Sequence, residues 1–507
     1  MKIEIMDTTL RDGEQTPGVA FSEREKYNIA RILLEEVKVD RIEVASARIS
    51  RGEMEAVKMI TSWCKEKNFL DRVEVLGFVD GTKSVDWMLD AGATVLNLLC
   101  KGSLKHVTRQ LKKSPEEHIS DIKTVVHYAH NHGLAVNVYL EDWSNGMKSS
   151  PDYVFQLVDA LKDTCVQRFM LPDTLGILNP DQTFEFCRIM LEKYPGRPFD
   201  FHAHNDYDLA TANTYMAVKA GVNGIHTTIN GLGERTGNAP LSSVIAILSD
   251  HCSQAEMTAD ETKINKASRI VEAFSGIRVP TNKPVIGEHV FTQTCGVHAD
   301  GDNKDNLYHN DLTPERFDRI RKYALGKTSG KASIQNNLKE LGIDLDKDSI
   351  AKVTARVVEL GDKKESITID DLPYIISDVL GSNALNEKIK VKNYYICHAL
   401  NLHPVATLSL QIGEEIFEET ATGDGQYDAF MKALTKIYGK LGRKLPVLVD
   451  YIVTIPPGGK TNALVETIIT WQLDKEFKTR GLDSDQTASA IKATVKMLNF
   501  MENNQIV

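Results

Sequence analysis

Arg197-Pro198-Phe199-Asp200-Phe201-His202-Ala203-His204-Asn205-Asp206 reads as a strand that ends in chemistry. Residues two apart in a strand face the same way, so His202 and His204 point together and Ala203 points away. Two imidazoles on one face, followed by an amide and a carboxylate, make a seat for a divalent metal. A bare His-x-His equally fits two ordinary polar residues at a strand end. The surrounding pattern decides between the two.

That strand is the seventh of eight. Ile3–Thr8, Arg41–Ala45, Arg72–Phe78, Val95–Leu99, Ala135–Leu140, Arg168–Leu171, Phe199–His204 and Gly224–Ile229 are strand candidates, and the segments between them carry helical periodicity. Ser22 to Val37 is the clearest helix. Ser22 and Glu25 form a capping-box pattern, and Tyr27, Ala30, Leu33, Leu34 and Val37 make an apolar stripe. Pro115 and Pro180 open two more helices. Eight strand–helix alternations predict an α/β fold, a (β/α)8 TIM barrel. A doubly wound open sheet is the rival, but the early Gly-rich phosphate turn often found there is absent.

In such a barrel, chemistry belongs at the C-terminal ends of the strands. Leu10-Arg11-Asp12-Gly13-Glu14-Gln15 follows the first strand. Glu43, Asn97, Glu141-Asp142 and Asp173-Thr174 lie at or near later strand ends, and Asn230 to Asn238 follows the eighth. Asp12, His202, His204 and Asn238 are the proposed metal ligands, an oxygen/nitrogen set that suits Zn, Mn, Mg or Co. The two remaining octahedral positions would take the keto and carboxylate oxygens of a 2-oxo acid. Arg11 is placed to stabilise a developing alkoxide, or to pair with Glu43. Glu141 is either a proton-transfer or positioning group, or a rim residue balanced by Arg168 or Lys148. Thr174 is a donor to a substrate carboxylate or a cap for the next loop.

The chain has 507 residues, 42% hydrophobic and 26% charged, with a formal net charge of -10. That length predicts two or three domains. No Lys/Arg-rich run suggests a nucleic-acid partner. No apolar run is long enough to cross a bilayer, and Met1 to Asp7 carries acids within its apolar stretch, unlike a signal peptide. Seven scattered cysteines fit a reducing cytoplasm.

A further helix is expected over Thr258–Phe274. Beyond it, the stretch from Gly287 to Gly301 is too rich in polar groups for a plain linker. His298 there is the natural general acid/base, and Tyr308 follows in a loop. Helical segments are expected at Lys331–Leu341 and Ser349–Leu360. From about 390 an approximate repeat begins. One copy has strands Lys390–His398, Ala406–Ile412 and Ile416–Ala421 before a helix Gln426–Tyr438. The other has Val447–Ile455, Leu464–Trp471 and Glu476–Thr479 before a helix Ser484–Asn499. Gly458-Gly459-Lys460-Thr461 lacks the spacing of a phosphate loop, so ATP binding there is rejected. The expected domains are a catalytic barrel at 1–275, a linker with helical subdomains at 276–388, and an α+β regulatory domain of two pseudo-repeated units at 389–507.

Leu10-Arg11-Asp12-Gly13-Glu14-Gln15, His202-Ala203-His204-Asn205-Asp206 and Gly231-Leu232-Gly233-Glu234-Arg235-Thr236-Gly237-Asn238 together resemble the acetyl-CoA-dependent synthases of 2-oxo acids. These are the isopropylmalate, homocitrate and citramalate synthases, and the resemblance covers nearly the whole chain. Within the family the chain is most similar to the (R)-citramalate synthases, through Ile42–Arg48, Val138–Gly146 and Leu445–Ala463. The resemblance implies metal binding by Asp12, His202 and His204, with Asn238 at or near the shell. It implies Arg11 on the 2-oxo oxygen, Thr174 on the carboxylate, and Glu141, His298 and Tyr308 in proton transfer or water positioning. The last two would come from a segment reaching over the partner subunit's barrel in a homodimer. It further implies feedback by an amino acid, isoleucine or else leucine, at the C-terminal domain.

The matching pocket positions are Leu76, Leu99 and Tyr139, whose bulk would admit the methyl group of pyruvate and exclude an isopropyl group. The expected activity is condensation of acetyl-CoA with pyruvate and water to (R)-citramalate and CoA. If those side chains turn away from the site, 2-isopropylmalate synthesis from 2-oxoisovalerate is the alternative. A metal-dependent aldolase or lyase, and a non-catalytic ligand sensor, are the rivals of other classes.

Overall fold

The computed structural model of the chain describes residues 1–252, 255–341, 343–362, 367, 369–380, 388–455, 465–473 and 476–503. The chain divides into two compact units: Met1–Phe291 with His309–Arg321, and Thr292–Tyr308 with Lys322–Val507.

The first unit is a closed eight-stranded barrel. Its strands are β1 (Glu4–Asp7), β2 (Arg41–Ser46), β3 (Val73–Phe78), β4 (Val95–Lys101), β5 (Ala135–Glu141), β6 (Val166–Asp173), β7 (Phe199–Ala203) and β8 (Gly224–Thr227). All neighbours are parallel, and β8 closes on β1 with Ile5 opposite Ile225. Both faces of a parallel barrel are covered, so the strands are apolar outward as well as packed inward. Ile42, Val44, Val75, Leu96, Leu98, Val136, Val138, Phe169 and Phe201 form the outward layer against the helices. The capping boxes at Ser22/Glu25, Ser114/Glu117 and Asn179/Gln182 are all formed, the last two with proline in the first turn.

Two expectations change. The helix expected to run to Val37 is α-helical only over α1 (Glu23–Arg31) and continues as a π-helical turn, Ile32–Val37. The helix expected over Thr258–Phe274 begins at Ile264. The preceding residues are pinned elsewhere: the Thr258 hydroxyl donates to the Lys38 carbonyl, and the Asp260 amide donates to the Val37 carbonyl.

The second unit holds helices Lys331–Glu340, Lys347–Asp362 and Leu372–Leu380 around Ile334, Leu338, Val353 and Leu372. It also holds the repeat. Strands Ile389–Cys397, Val405–Ile412 and Glu415–Thr422 form one antiparallel sheet, followed by helix Gln426–Lys440. Strands Val447–Thr454, Val465–Gln472 and Glu476–Asp483 form another, followed by helix Gln486–Asn503. Each sheet has a register shift near the start of its first strand, at Val391/Asn393 and at Leu448/Asp450. One apolar cluster joins Leu408, Phe430 and Leu434 of the first copy to Ile469, Trp471 and Met497 of the second. Gly458 to Thr461 and Leu464 lie outside the described residues. Among the described residues no helix is long and apolar enough to cross a membrane.

The barrel interior is polar at its N-terminal end. Arg41 donates to Glu74 (2.8 Å) and Asp200 (2.6 Å), and Arg168 donates to Asp200 (2.8 Å) and Glu4 (2.8 Å). Asp200 sits so close to β8 that a Cβ on Gly224 would lie 1.8 Å from its Oδ1, which only glycine avoids. Buried charges of this kind depend on one another, and removing one partner typically costs about 3–5 kcal/mol. Arg41→Met is therefore expected to lower unfolding stability by roughly that amount, read from the denaturant midpoint. A loss below about 1 kcal/mol would mean that Arg168 alone neutralises Asp200.

Candidate active site

The loop after β1 carries Arg11 and Asp12 at the C-terminal mouth of the barrel. It is tied down from outside by Lys26 of α1, which is 1% exposed. The Lys26 ammonium donates to the Leu10 carbonyl (3.0 Å) and pairs with Glu14 (2.6 Å) and Glu53 (2.5 Å). Inside the barrel, Glu43 of β2 is fully buried and receives three donors: Arg11 Nε (2.5 Å), Thr8 Oγ1 (2.9 Å) and Asn97 Nδ2 (2.8 Å). The two readings of Arg11 are thus compatible, since Glu43 binds Nε while Nη1 lies 3.4 Å from Asp12 Oδ2.

His202 is the penultimate residue of β7, and His204 lies one residue past the strand, bridged to Asn238 of the returning loop. His202 Nε2 and His204 Nε2 lie 3.2 and 3.8 Å from Asp12 Oδ2. One ligand atom from each of Asp12, His202 and His204 falls within 4.8 Å of the others. Gly233 makes room for Asn238, whose Nδ2 would be 2.2 Å from a Cβ there. Asn238 Nδ2 donates to the Leu232 carbonyl.

These groups are buried yet incompletely satisfied. Asp12 Oδ1, Asn238 Oδ1, His202 Nδ1 and His204 Nδ1 have no hydrogen-bond partner in the protein. Buried polar atoms are nearly always paired, so four orphans in one cluster fit a cation site. The electrostatics agree. Burial would raise the Asp12 carboxyl, but Arg11 and the two imidazoles outweigh it and hold it well below the usual range. Burial draws the His204 imidazole down to about 4, against the pull of Asp12. A carboxylate and a neutral imidazole are the forms that ligate metal.

Beside this cluster, Met6, Leu76, Tyr139 and Met170 form an apolar group with Leu99 packed against it. The Arg11 guanidinium lies over the Tyr139 ring at 5.9 Å, and the His202 ring meets its edge at 6.2 Å. Leu76, Leu99 and Tyr139 therefore face the barrel interior beside Arg11 and His202.

Glu141 pairs with Lys101 at the end of β4. The partners expected for it are otherwise engaged: Arg168 binds Asp200 and Glu4, and Lys148 donates to the Ile177 carbonyl. Parallel neighbours place strand ends side by side, and β4 opposes Lys101 to Glu141 directly. Thr174 Oγ1 accepts from the Asp142 amide (2.9 Å), which leaves its own hydrogen to donate. His298 and Tyr308 belong to the second unit, where their rings stack at 4.1 Å and His298 Nδ1 lies 3.2 Å from Gln293 Oε1.

Lys101 and His226 escaped the sequence reading. A period-2 reading of β8 would have turned His226 inward, like His202 on β7. Burial pulls the His226 imidazole down to about 4, against Asp200, from an ordinary 6.5. The unfolded chain then binds the extra proton first, so stability is full above pH 6.5 and falls as pH drops toward 4. Replacing His226 with Gln should flatten that fall by roughly 3 kcal/mol, measured as unfolding free energy against pH. An unchanged slope would place the titration on other groups.

Residues 2–271, more than half of the chain, match the family described as HMGL-like. Residues 285–365 match the homocitrate synthase post-HMGL domain-like family, and residues 366–502 match the LeuA allosteric (dimerisation) domain. The (R)-citramalate synthase CimA of Methanocaldococcus jannaschii is 34% identical over 511 residues, covering 99% of this chain and 100% of that one. The 2-isopropylmalate synthase of the same organism is 33% identical over 506 residues, covering 98% and 94%. The chain belongs to the HMGL-like family, within its group of isopropylmalate, homocitrate and citramalate synthases.

Proposed function

We propose that the chain condenses acetyl-CoA with pyruvate and water to (R)-citramalate and CoA. The acetyl methyl group loses a proton, its carbon bonds to the keto carbon of pyruvate, and water cleaves the thioester to release CoA. The observation that carries the choice of pyruvate is the apolar wall of Leu76, Tyr139, Met6 and Met170 with Leu99 beside Arg11. On this reading, two leucines, two methionines and a ring restrict the pocket to a substrate side chain as small as the methyl group of pyruvate. An isopropyl group would force them off their packing.

Asp12, His202 and His204, with Asn238 Oδ1 as a fourth donor, would hold a divalent ion: Zn, Mn, Mg or Co. Such an ion supplies Lewis-acid polarisation of a carbonyl oxygen. Arg11, kept charged by Glu43 and Asp12 against its burial, brings positive charge to the oxygen on which negative charge develops. Thr174 donates its free hydroxyl hydrogen to the substrate carboxylate. Glu141, steadied by Lys101, positions water or moves a proton. His298 and Tyr308 serve in proton transfer, supplied across a homodimer. The domain at 389–507 takes the feedback amino acid, isoleucine or else leucine; the match of residues 366–502 to an allosteric (dimerisation) domain supports that assignment. The setting is the cytoplasm.

The second reading is 2-isopropylmalate synthesis, favoured by the 33% identity to the enzyme of that name. CoA release with a thiol reagent, comparing pyruvate and 2-oxoisovalerate, separates the two. A preference for pyruvate is expected, and a preference for 2-oxoisovalerate would reverse the assignment. Release of no CoA at all would favour an aldolase or lyase. Leu99→Ala should shift the ratio toward the larger 2-oxo acid by at least the roughly 10- to 200-fold that one methylene is worth in a hydrophobic pocket. A chelator should abolish turnover. Asp12→Asn and His204→Ala should each weaken binding of a divalent ion in titration calorimetry, and wild-type affinity in both would remove these residues from the ligand set.

A further inference from the structure

The inner face of β8 carries a histidine outside the roles assigned above. His226 is 1% exposed. Its Nε2 lies 3.1 Å from Asp200 Oδ2, and its Nδ1 lies 3.1 Å from the Tyr139 hydroxyl. Asp200 is an acceptor only. Burial would raise its carboxyl, but Arg41, Arg168 and His226 outweigh that and keep it ionised. A neutral imidazole has one N–H and one acceptor nitrogen. With Asp200 taking the N–H at Nε2, Nδ1 must accept, and the Tyr139 hydroxyl donates to it. Donors therefore run in one direction, from Tyr139 to His226 to Asp200, and end on two guanidiniums. The Tyr139 proton is committed to the barrel floor, so the phenol offers its ring to the pocket and keeps its proton.

The other contacts on that ring are weaker guides. Arg11 lies over its face at 5.9 Å, and His202 and His226 meet its edges at 6.2 and 5.6 Å. The hydrogen bond to His226 is the short directional one, and a buried phenol deprived of it must turn to find another partner.

We propose that His226, oriented by Asp200, is a positioning residue that pins the Tyr139 ring across the 2-oxo acid pocket and so sets the size of side chain the pocket accepts. This rests on the reading of Tyr139 as a pocket wall. His226→Leu and Tyr139→Phe both break the bond, whereas His226→Gln keeps an acceptor for the phenol and a donor for Asp200.

The test uses the full-length, metal-loaded chain and two readouts. The first is the kcat/KM ratio for 2-oxobutanoate over pyruvate, from CoA release. It should rise about tenfold in His226→Leu and in Tyr139→Phe, rise no further in the double variant, and stay near wild type in His226→Gln. The second needs no turnover: 3-fluorotyrosine placed at position 139 and read by fluorine NMR. Its resonance should move in folded His226→Leu and return in His226→Gln. An unmoved resonance in His226→Leu overturns the pinning, and a moved resonance with an unchanged ratio overturns the size-setting role. If wild type prefers 2-oxoisovalerate, the pyruvate reading and the size-setting role both fall, while the fluorine readout still decides whether His226 holds the ring.

Discussion

Asp200 is the constraint on which the barrel depends. It has no exposed surface, yet it carries a charge shared by Arg41, Arg168 and His226. Neither the anion nor the guanidiniums would be tolerable there alone. Together they bind the inner faces of β2, β6, β7 and β8, and through Glu4 and Glu74 they reach β1 and β3. A parallel barrel has no edge to absorb a slip, so this lattice helps hold the strand register from which the opposite end is built.

The polar network rises from that floor. Asp200 orients His226, which accepts from Tyr139, and Asp200 lies two residues before His202 on the same face of β7. On the other wall, Asn137 donates to Asn97, Asn97 to Glu43, and Arg11 to the same carboxylate. Arg11 then stands beside Asp12, whose lowered pKa makes it an anion under all ordinary conditions. The mouth of the barrel therefore gathers an obligate cation, an obligate anion and a neutral imidazole in a small buried volume. Four polar atoms there have no partner in the protein, and Asp12, His202 and His204 each bring one ligand atom to within 4.8 Å of the others. That is the arrangement expected of a site built to bind an ion and a small oxyanion, with apolar side chains limiting what else fits.

The closed barrel and the three-stranded repeats were legible because they rest on periodicity, which survives in one dimension. Barrel strand ends were read to within one or two residues, since the outward faces are apolar and the breaks are polar, whereas the strand expected at Glu476–Thr479 runs on to Asp483, where Gly481 and Asp483 look like a turn but pair with Thr467 and Val465. The failures have a common cause. The helix before Ile264 was overextended because its first residues look helical locally but hydrogen-bond to Lys38 and Val37, more than 200 positions away. Glu141 meets Lys101 rather than Arg168 or Lys148, because Lys101 is 40 residues distant in sequence yet directly opposite in register. Arg168, one of the two balancing partners offered for Glu141 in its rim reading, points into the N-terminal end of the barrel with Asp200 and Glu4.

The sequence by itself determined the alternation of elements, the inward pairing of His202 with His204, the placement of Arg11 and Asp12 after the first strand, and the family. These follow from spacing along one strand or one loop, where the geometry of the backbone is already known. Only the tertiary structure decided which charge meets which: Arg11 with Glu43, Lys101 with Glu141, Lys26 beneath the β1 loop, and Tyr139 with His226. Those pairings depend on barrel closure and strand register. They bring together groups from separate strands whose attraction is large because water is excluded from between them.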